Sequence, residues 1–171
     1  VVVGINTRMI YLLYDDGSRS EKVILNELGG CKGIIQSDGY SPYRKLESDA
    51  YPHITRIPCL QHIKRKFIDC GEDEPDAKRI VELINTLYQN EHKHKIGVDG
   101  WTVEQNLVHR KKYAPDILGE IKDVLDDIEE RGDLLPKSEL KEAVTYLRNE
   151  WNAVVDIFNY GDTYLDNNIV E

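Results

Sequence analysis

From residue 75 onward the chain carries three apolar stripes at helical spacing, which constrain its fold more than any other feature. Ile80, Leu83, Ile84, Leu87 and Tyr88 form the first stripe. Ile117, Ile121, Val124, Leu125 and Ile128 form the second; Leu140, Val144, Leu147, Trp151, Val154, Val155 and Phe158 form the longest. Residues three and four apart share one helix face, so each stripe must find another apolar surface to cover it. The punctuation agrees. Pro75 suits a helix first turn, and Thr102 with Gln105 fits a capping box. The helix they open should break before Pro115, because proline lacks the backbone N–H and crowds the preceding turn. Gly132 should stop the second stripe and Gly161 the third. Residues 92–100 are polar and read as a loop.

The first third is built differently. Residues 1–4 and 9–14 are β-branched or apolar runs around the turn signal Asn6-Thr7, a hairpin pattern. Asp16-Gly17 closes the second run. Ser20 can cap a helix reaching Leu28, with Gly29-Gly30 as its stop. Residues 33–36 make a compact apolar strand ending at Ser37-Asp38-Gly39. A short helix over 42–46, a strand over 54–57 and a helix over 59–69 follow. Alternating strands and helices imply an α/β layer with parallel pairing, and the leading hairpin makes the sheet mixed.

The 171 residues suffice for one domain, or for one domain with a large insertion. No apolar run approaches the roughly 18 residues a membrane span needs, so no membrane association is expected. The first residues lack the pattern of a signal peptide, and both ends read as cut through an element. Cys31, Cys59 and Cys70 are too scattered for a disulfide framework, which favours reduced thiols and a cytoplasmic setting. The net charge of −9 weighs against nucleic-acid contact by this stretch alone, since phosphates are met by Lys and Arg. It leaves open an alternative function, a non-catalytic α/β and helical module that binds DNA or a protein partner.

Among the side chains with chemistry, Asp38 stands out for its position. It directly follows a strand, where ligands collect in open α/β sheets, and Gly39 lets the backbone turn sharply behind it. Asp-Gly is also an ordinary turn pair. Glu171 closes Asp166-Asn167-Asn168-Ile169-Val170-Glu171, where its spacing from Asn168 also fits a capping box. Asp15 and Asp16 adjoin Gly17 and read as turn residues. Cys59 and His62 have a C-x-x-H spacing without the second pair that structural zinc needs. Lys64-Arg65-Lys66 and Arg110-Lys111-Lys112 are basic runs that suit phosphate contact or a solvated helix face.

Taken in order, these pieces resemble the transposases of the bacterial insertion sequence sixty-six family, of the DDE superfamily. The resemblance rests on Ser18-Arg19-Ser20, then Gly33-Ile34-Ile35-Gln36-Ser37-Asp38-Gly39-Tyr40 with Tyr43, then Cys59-Leu60-Gln61-His62-Ile63-Lys64-Arg65-Lys66-Phe67. Pro136-Lys137-Ser138, Trp151 and the terminal Asp-Asn-Asn-x-x-Glu complete it. It implies an RNase H-like α/β fold: a mixed sheet with flanking helices and a helical insertion. Residues 1–74 would be the core without its first strand, 75–161 the insertion, and 162–171 the start of the helix bearing the last acid. Asp38 would be the second of three catalytic, metal-binding acids and Glu171 the third. The first would precede Val1, leaving this chain inactive by itself. Mg²⁺ (or Mn²⁺) would be the cofactor, and DNA, both transposon ends and target, the partner. Arg19, His62, Arg65 and Lys66 would face the DNA. Homo-oligomers and accessory transposition proteins are implied for the active complex.

Overall fold

The computed structural model describes residues 2–4, 9–11, 20–93 and 100–167. Arg19 and Glu171 lie outside the described residues, as do Asp15 and Asp16. Within the described residues the protein is mixed α/β and mostly helical. Strands β1 (Val2–Gly4) and β2 (Met9–Tyr11) pair antiparallel, as the hairpin pattern predicts. Helix α1 (Glu21–Leu28) follows Ser20, and strand β3 (Gly33–Ser37) leads into α2 (Ser41–Arg44) and a 3₁₀ turn at Lys45–Glu47. Strand β4 (Ile54–Pro58) then runs parallel to β3, with Gly33 opposite Ile54 and Ser37 opposite Pro58. The two strands therefore end side by side.

Helix α3 (Leu60–Ile68) leaves the end of β4 and buries Leu60, Ile63 and Phe67. It packs on α4 (Pro75–Glu91) and on α6 (Glu139–Ile157), while α5 (Val103–Arg131) lies on α4 and α6 also covers β4. The apolar stripes are the contact faces. Ile80, Ile84 and Leu87 of α4, Ile121, Leu125 and Ile128 of α5, and Val144, Leu147 and Ile157 of α6 join Ile57 of β4 and the α3 face in one core. Burial contributes about 1.5–3 kcal/mol per such side chain, far more than the few tenths of a kcal/mol by which local helix preferences differ.

Three expectations need correction. Among the described residues the hairpin does not join β3 and β4 in one mixed sheet: β1–β2 and β3–β4 are two separate two-stranded sheets. Helix α5 does not break before Pro115 but runs through it. Proline removes the donor that would meet the carbonyl of Lys111. Both residues lie on the exposed side, where water can take that carbonyl, while Ala114, Ile117 and Leu118 remain buried on the other. The third stripe's helix ends at Ile157, capped by Phe158, and not at Gly161. The caps at the other boundaries follow the sequence. Thr102 and Gln105 form the reciprocal capping box, and Gly132 takes the left-handed conformation (φ 65°) that ends α5. Among the described residues, no helix is long and apolar enough to cross a membrane.

Candidate functional site

Asp38 sits where β3 stops, beside the end of β4. Its Oδ1 accepts a hydrogen bond from the Tyr40 N–H at 3.1 Å, the short-range turn bond expected of an Asp-Gly pair. The turn is also gripped from outside. Gly39 N–H donates to the Tyr146 hydroxyl of α6 at 2.8 Å, and the Ser37 hydroxyl donates to the Asp38 carbonyl at 2.9 Å. A Cβ on Gly39 would stand 2.2 Å from the Tyr146 oxygen, so this close approach requires glycine.

Beneath the turn lies a buried arginine. Arg56, in the middle of β4, pairs with Glu150 of α6 and with Glu47 at 2.5 Å; its guanidinium also reaches Ser37 Oγ at 3.4 Å. Arg44 Nε approaches the same Glu150 at 3.8 Å. Arg56 and Glu150 are almost wholly inaccessible to water. A charge in such a place persists only when paired and hydrogen-bonded. Glu150 and Glu47 are therefore committed to Arg56 rather than offered to a ligand. Tyr146 stands next to this group. Burial foremost pushes its phenol up, with Glu150 and Asp38 adding to the effect and the Gly39 N–H and Arg56 opposing it. The hydroxyl stays protonated and neutral.

The last described residues return to the same strand ends. The Gln36 side chain donates to the Tyr164 carbonyl at 2.8 Å and to that of Pro58 at 3.2 Å. Leu60 N–H donates to the Leu165 carbonyl at 2.8 Å. Tyr88 of α4 faces Asp166; burial first, then that carboxylate, pushes its phenol up. The Asn167 backbone reaches the Cys59 thiol, which burial holds above its usual range. Four successive residues, 164 to 167, are thus tied to β3, α3, α4 and the end of β4.

The turn before them is clamped by Arg110, fully buried on α5. Its guanidinium donates to the carbonyls of Ile157 (3.2 Å), Tyr160 (2.5 Å) and Thr163 (2.7 Å) and to the Thr163 hydroxyl (2.6 Å). It also pairs with both oxygens of Glu91, at 2.8 and 2.6 Å. Asn106 adds a bond to the Gly161 carbonyl at 2.8 Å. The basic run at 110–112 therefore divides: Arg110 is a structural clamp with no face for phosphate, and Lys111 and Lys112 are exposed.

Of the other expected DNA-facing residues, Arg65 and Lys66 are exposed on α3 and His62 is half-buried near its start. Among the described residues, no three His, Cys, Asp or Glu side chains gather as a metal site. Asp38 alone of the two expected ligands is described, and a half-buried carboxylate at a strand end suits a hard divalent cation, which favours oxygen donors.

Residues 3–171 match the family described as Transposase IS66 family. The chain belongs to the IS66 transposase family. Two Sinorhizobium fredii (strain NBRC 101917 / NGR234) proteins are similar to this IS66-family chain. "Uncharacterized protein y4jD" is 28% identical over 161 residues, 90% of this chain and 30% of that protein. "Uncharacterized protein y4qI" is 26% identical over 176 residues, 98% of this chain and 31% of that protein. The chain thus spans about a third of the length of these curated relatives. No solved structure matches it. The residues that the sequence reading of this IS66-family chain passed over are Arg56, Glu150, Tyr146 and, as a clamp, Arg110. Arg56 carried a faint signal, a lone charge inside a short strand.

Proposed function

We propose that this chain forms part of the catalytic region of a DDE-type DNA transposase, with an RNase H-like core in which residues 75–161 are a helical insertion. The supporting observation is convergence at the paired ends of β3 and β4. Asp38 stands there, and residues 164–167, which lead toward Glu171, are bonded to the same strand ends. In this reading Asp38 and Glu171 are metal-holding carboxylates. Asp38 holds its share from the sheet, and Glu171 follows in sequence the segment that Arg110 and Gln36 fix in place. The first acidic position is assigned to no residue of this chain.

Transposase families of this kind use divalent metal, Mg²⁺ or Mn²⁺. When bound, such ions supply activation of the attacking water or 3′-hydroxyl and stabilise the leaving oxygen in an in-line displacement at phosphorus. The protein's part is orientation. The Asp38 carboxylate is held at a fixed strand end, and Arg65 and Lys66 present cations on the exposed side of α3 to a DNA backbone. His62 and Arg19 complete the proposed DNA-facing set. With a net charge of −9 this stretch is a poor match for phosphate by itself, and in this reading most of the phosphate contact falls outside it. Transposon-end and target DNA are the partners, a homo-oligomer is the working form, and the bacterial cytoplasm is the setting.

The test uses a full-length protein that carries this chain. Asp38→Asn and Glu171→Gln should each abolish strand transfer in Mg²⁺ while leaving the thermal melt in place. Normal strand transfer in either variant removes that residue from the site.

A further inference from the structure

Asp38 follows the end of β3, and its Oδ1 accepts the Tyr40 N–H at 3.1 Å, so the direction of the carboxylate depends on how the backbone of the turn is held. Here the turn is held by a residue more than a hundred positions away. Tyr146 projects from α6, and its hydroxyl accepts the Gly39 N–H at 2.8 Å. The bond is charge-neutral, half-buried and well within hydrogen-bonding distance. The fit is close enough that Gly39 tolerates no Cβ, since the first atoms it would strike are the Tyr146 oxygen at 2.2 Å and its ring at 2.5 Å. The base of Tyr146 is itself secured. One turn along α6, Glu150 is locked to Arg56 of β4, so the helix cannot slide relative to the strand without breaking a buried ion pair. Arg56 also reaches toward the Asp38 carbonyl at 3.5 Å, the other side of the peptide that Gly39 N–H belongs to.

We infer that Tyr146 is a positioning residue for Asp38: by fixing the Asp38–Gly39 peptide from α6, it sets the direction in which the Asp38 carboxylate meets a divalent cation. This rests on the reading of Asp38 as a metal ligand. Groups that orient a ligand without touching the metal typically change metal affinity by about 10–100-fold when removed. Tyr146 acts on the backbone beside the ligand rather than on the carboxylate, which puts its effect at the lower end of that range.

The test is Tyr146→Phe in a full-length protein carrying this chain. It keeps the ring and removes only the acceptor. Three quantities are read: Mn²⁺ affinity from the electron paramagnetic resonance signal of the free ion, hydrogen exchange at Gly39, and the melting temperature. Expected are Mn²⁺ binding weakened about tenfold and faster exchange at Gly39, together with strand transfer that recovers as Mg²⁺ is raised. Unchanged Mn²⁺ affinity overturns the inference, whatever happens to the melting temperature, because a merely structural tyrosine would move only the latter. If Tyr146→Phe fails to fold, Gly39→Ala replaces it. The added methyl pushes the Tyr146 ring off the turn and should weaken Mn²⁺ binding; unchanged affinity in that variant also overturns the inference. Asp38→Asn separates the two levels. If that variant binds Mn²⁺ normally, the reading of Asp38 fails. If it loses binding while Tyr146→Phe does not, only the role of Tyr146 fails.

Discussion

Arg56 and Arg110 are both buried, and each is paired with a glutamate from another element, yet they hold different things. Arg56 holds side chains: Glu150 from α6, Glu47 from the 3₁₀ turn and the Ser37 hydroxyl. It cross-links separate elements beneath Asp38. Arg110 also holds backbone: besides Glu91 and the Thr163 hydroxyl it gathers three carbonyls of a single turn between Ile157 and Thr163. The first arrangement sets how the helices sit against the sheet. The second sets the shape of one stretch of chain, which would otherwise have to hide several carbonyls from water without partners. Burial of a cation thus serves docking in one place and chain shape in the other, and the two should fail differently.

The largest effects should come from the two arginines, beginning with Arg56→Ala. It strands Glu150, whose side chain is only 1% exposed, and leaving one member of a buried pair costs about 3–5 kcal/mol. Urea unfolding measures this, and a loss below about 1 kcal/mol would mean that Glu150 finds another partner. Arg110→Ala should cost a similar amount, about 3–5 kcal/mol: Glu91 keeps 16% of its surface and can turn to water, but the Tyr160 and Thr163 carbonyls lose their donor. Its signature is local: hydrogen exchange should quicken across 158–165 and stay slow at Gly39. Equal quickening at both places would break the distinction between the arginines.

Gly161→Ala tests the same turn by crowding instead of deletion. Its Cβ would lie 2.1 Å from the Val103 carbonyl oxygen, and overpacking of this kind costs about 1–3 kcal/mol, read as a lower urea midpoint. The smallest effect concerns the surface. Lys122 first, then Arg148, holds the Asp126 carboxyl below its usual value of 3.8. A group depressed in the folded state stabilises it above the unfolded pKa and loses that contribution as pH falls through the folded one. Asp126→Asn should therefore slightly flatten the decline in stability below pH 3.8, because the variant has already lost that small contribution at neutrality. A steeper acid decline in the variant would show that Asp126 is not held by those cations.

What could be read from the sequence divides along the same line between local pattern and distant partner. The stripes of α4, α5 and α6 were legible because a helix repeats its face every three or four residues, and Thr102, Gln105 and Gly132 announce their ends locally. Asp38 was legible as a position, a carboxylate after an apolar strand. Its support was not. Tyr146 and Glu150 sit among charged and apolar neighbours of an ordinary amphipathic helix, and nothing in their own surroundings names Gly39 or Arg56 as partners. Arg110 was misread for a related reason: within a run of three cations, sequence does not say which one turns inward. Pro115 misled because its effect depends on which side of α5 faces water. Glu171 and Arg19 fall outside the described residues, so their roles rest on the family resemblance.

The core that Ile57, Leu60, Ile63 and Phe67 share with α4, α5 and α6 bears on how far this segment can be shortened. The helices that follow Asp38 in sequence are not spare length. Excising them would uncover the apolar side of β4 and α3 and remove both Tyr146 and Glu150 from beneath the Asp38 turn. The abridged product would present that apolar surface to water, so the length of this segment is set by what the helices must cover.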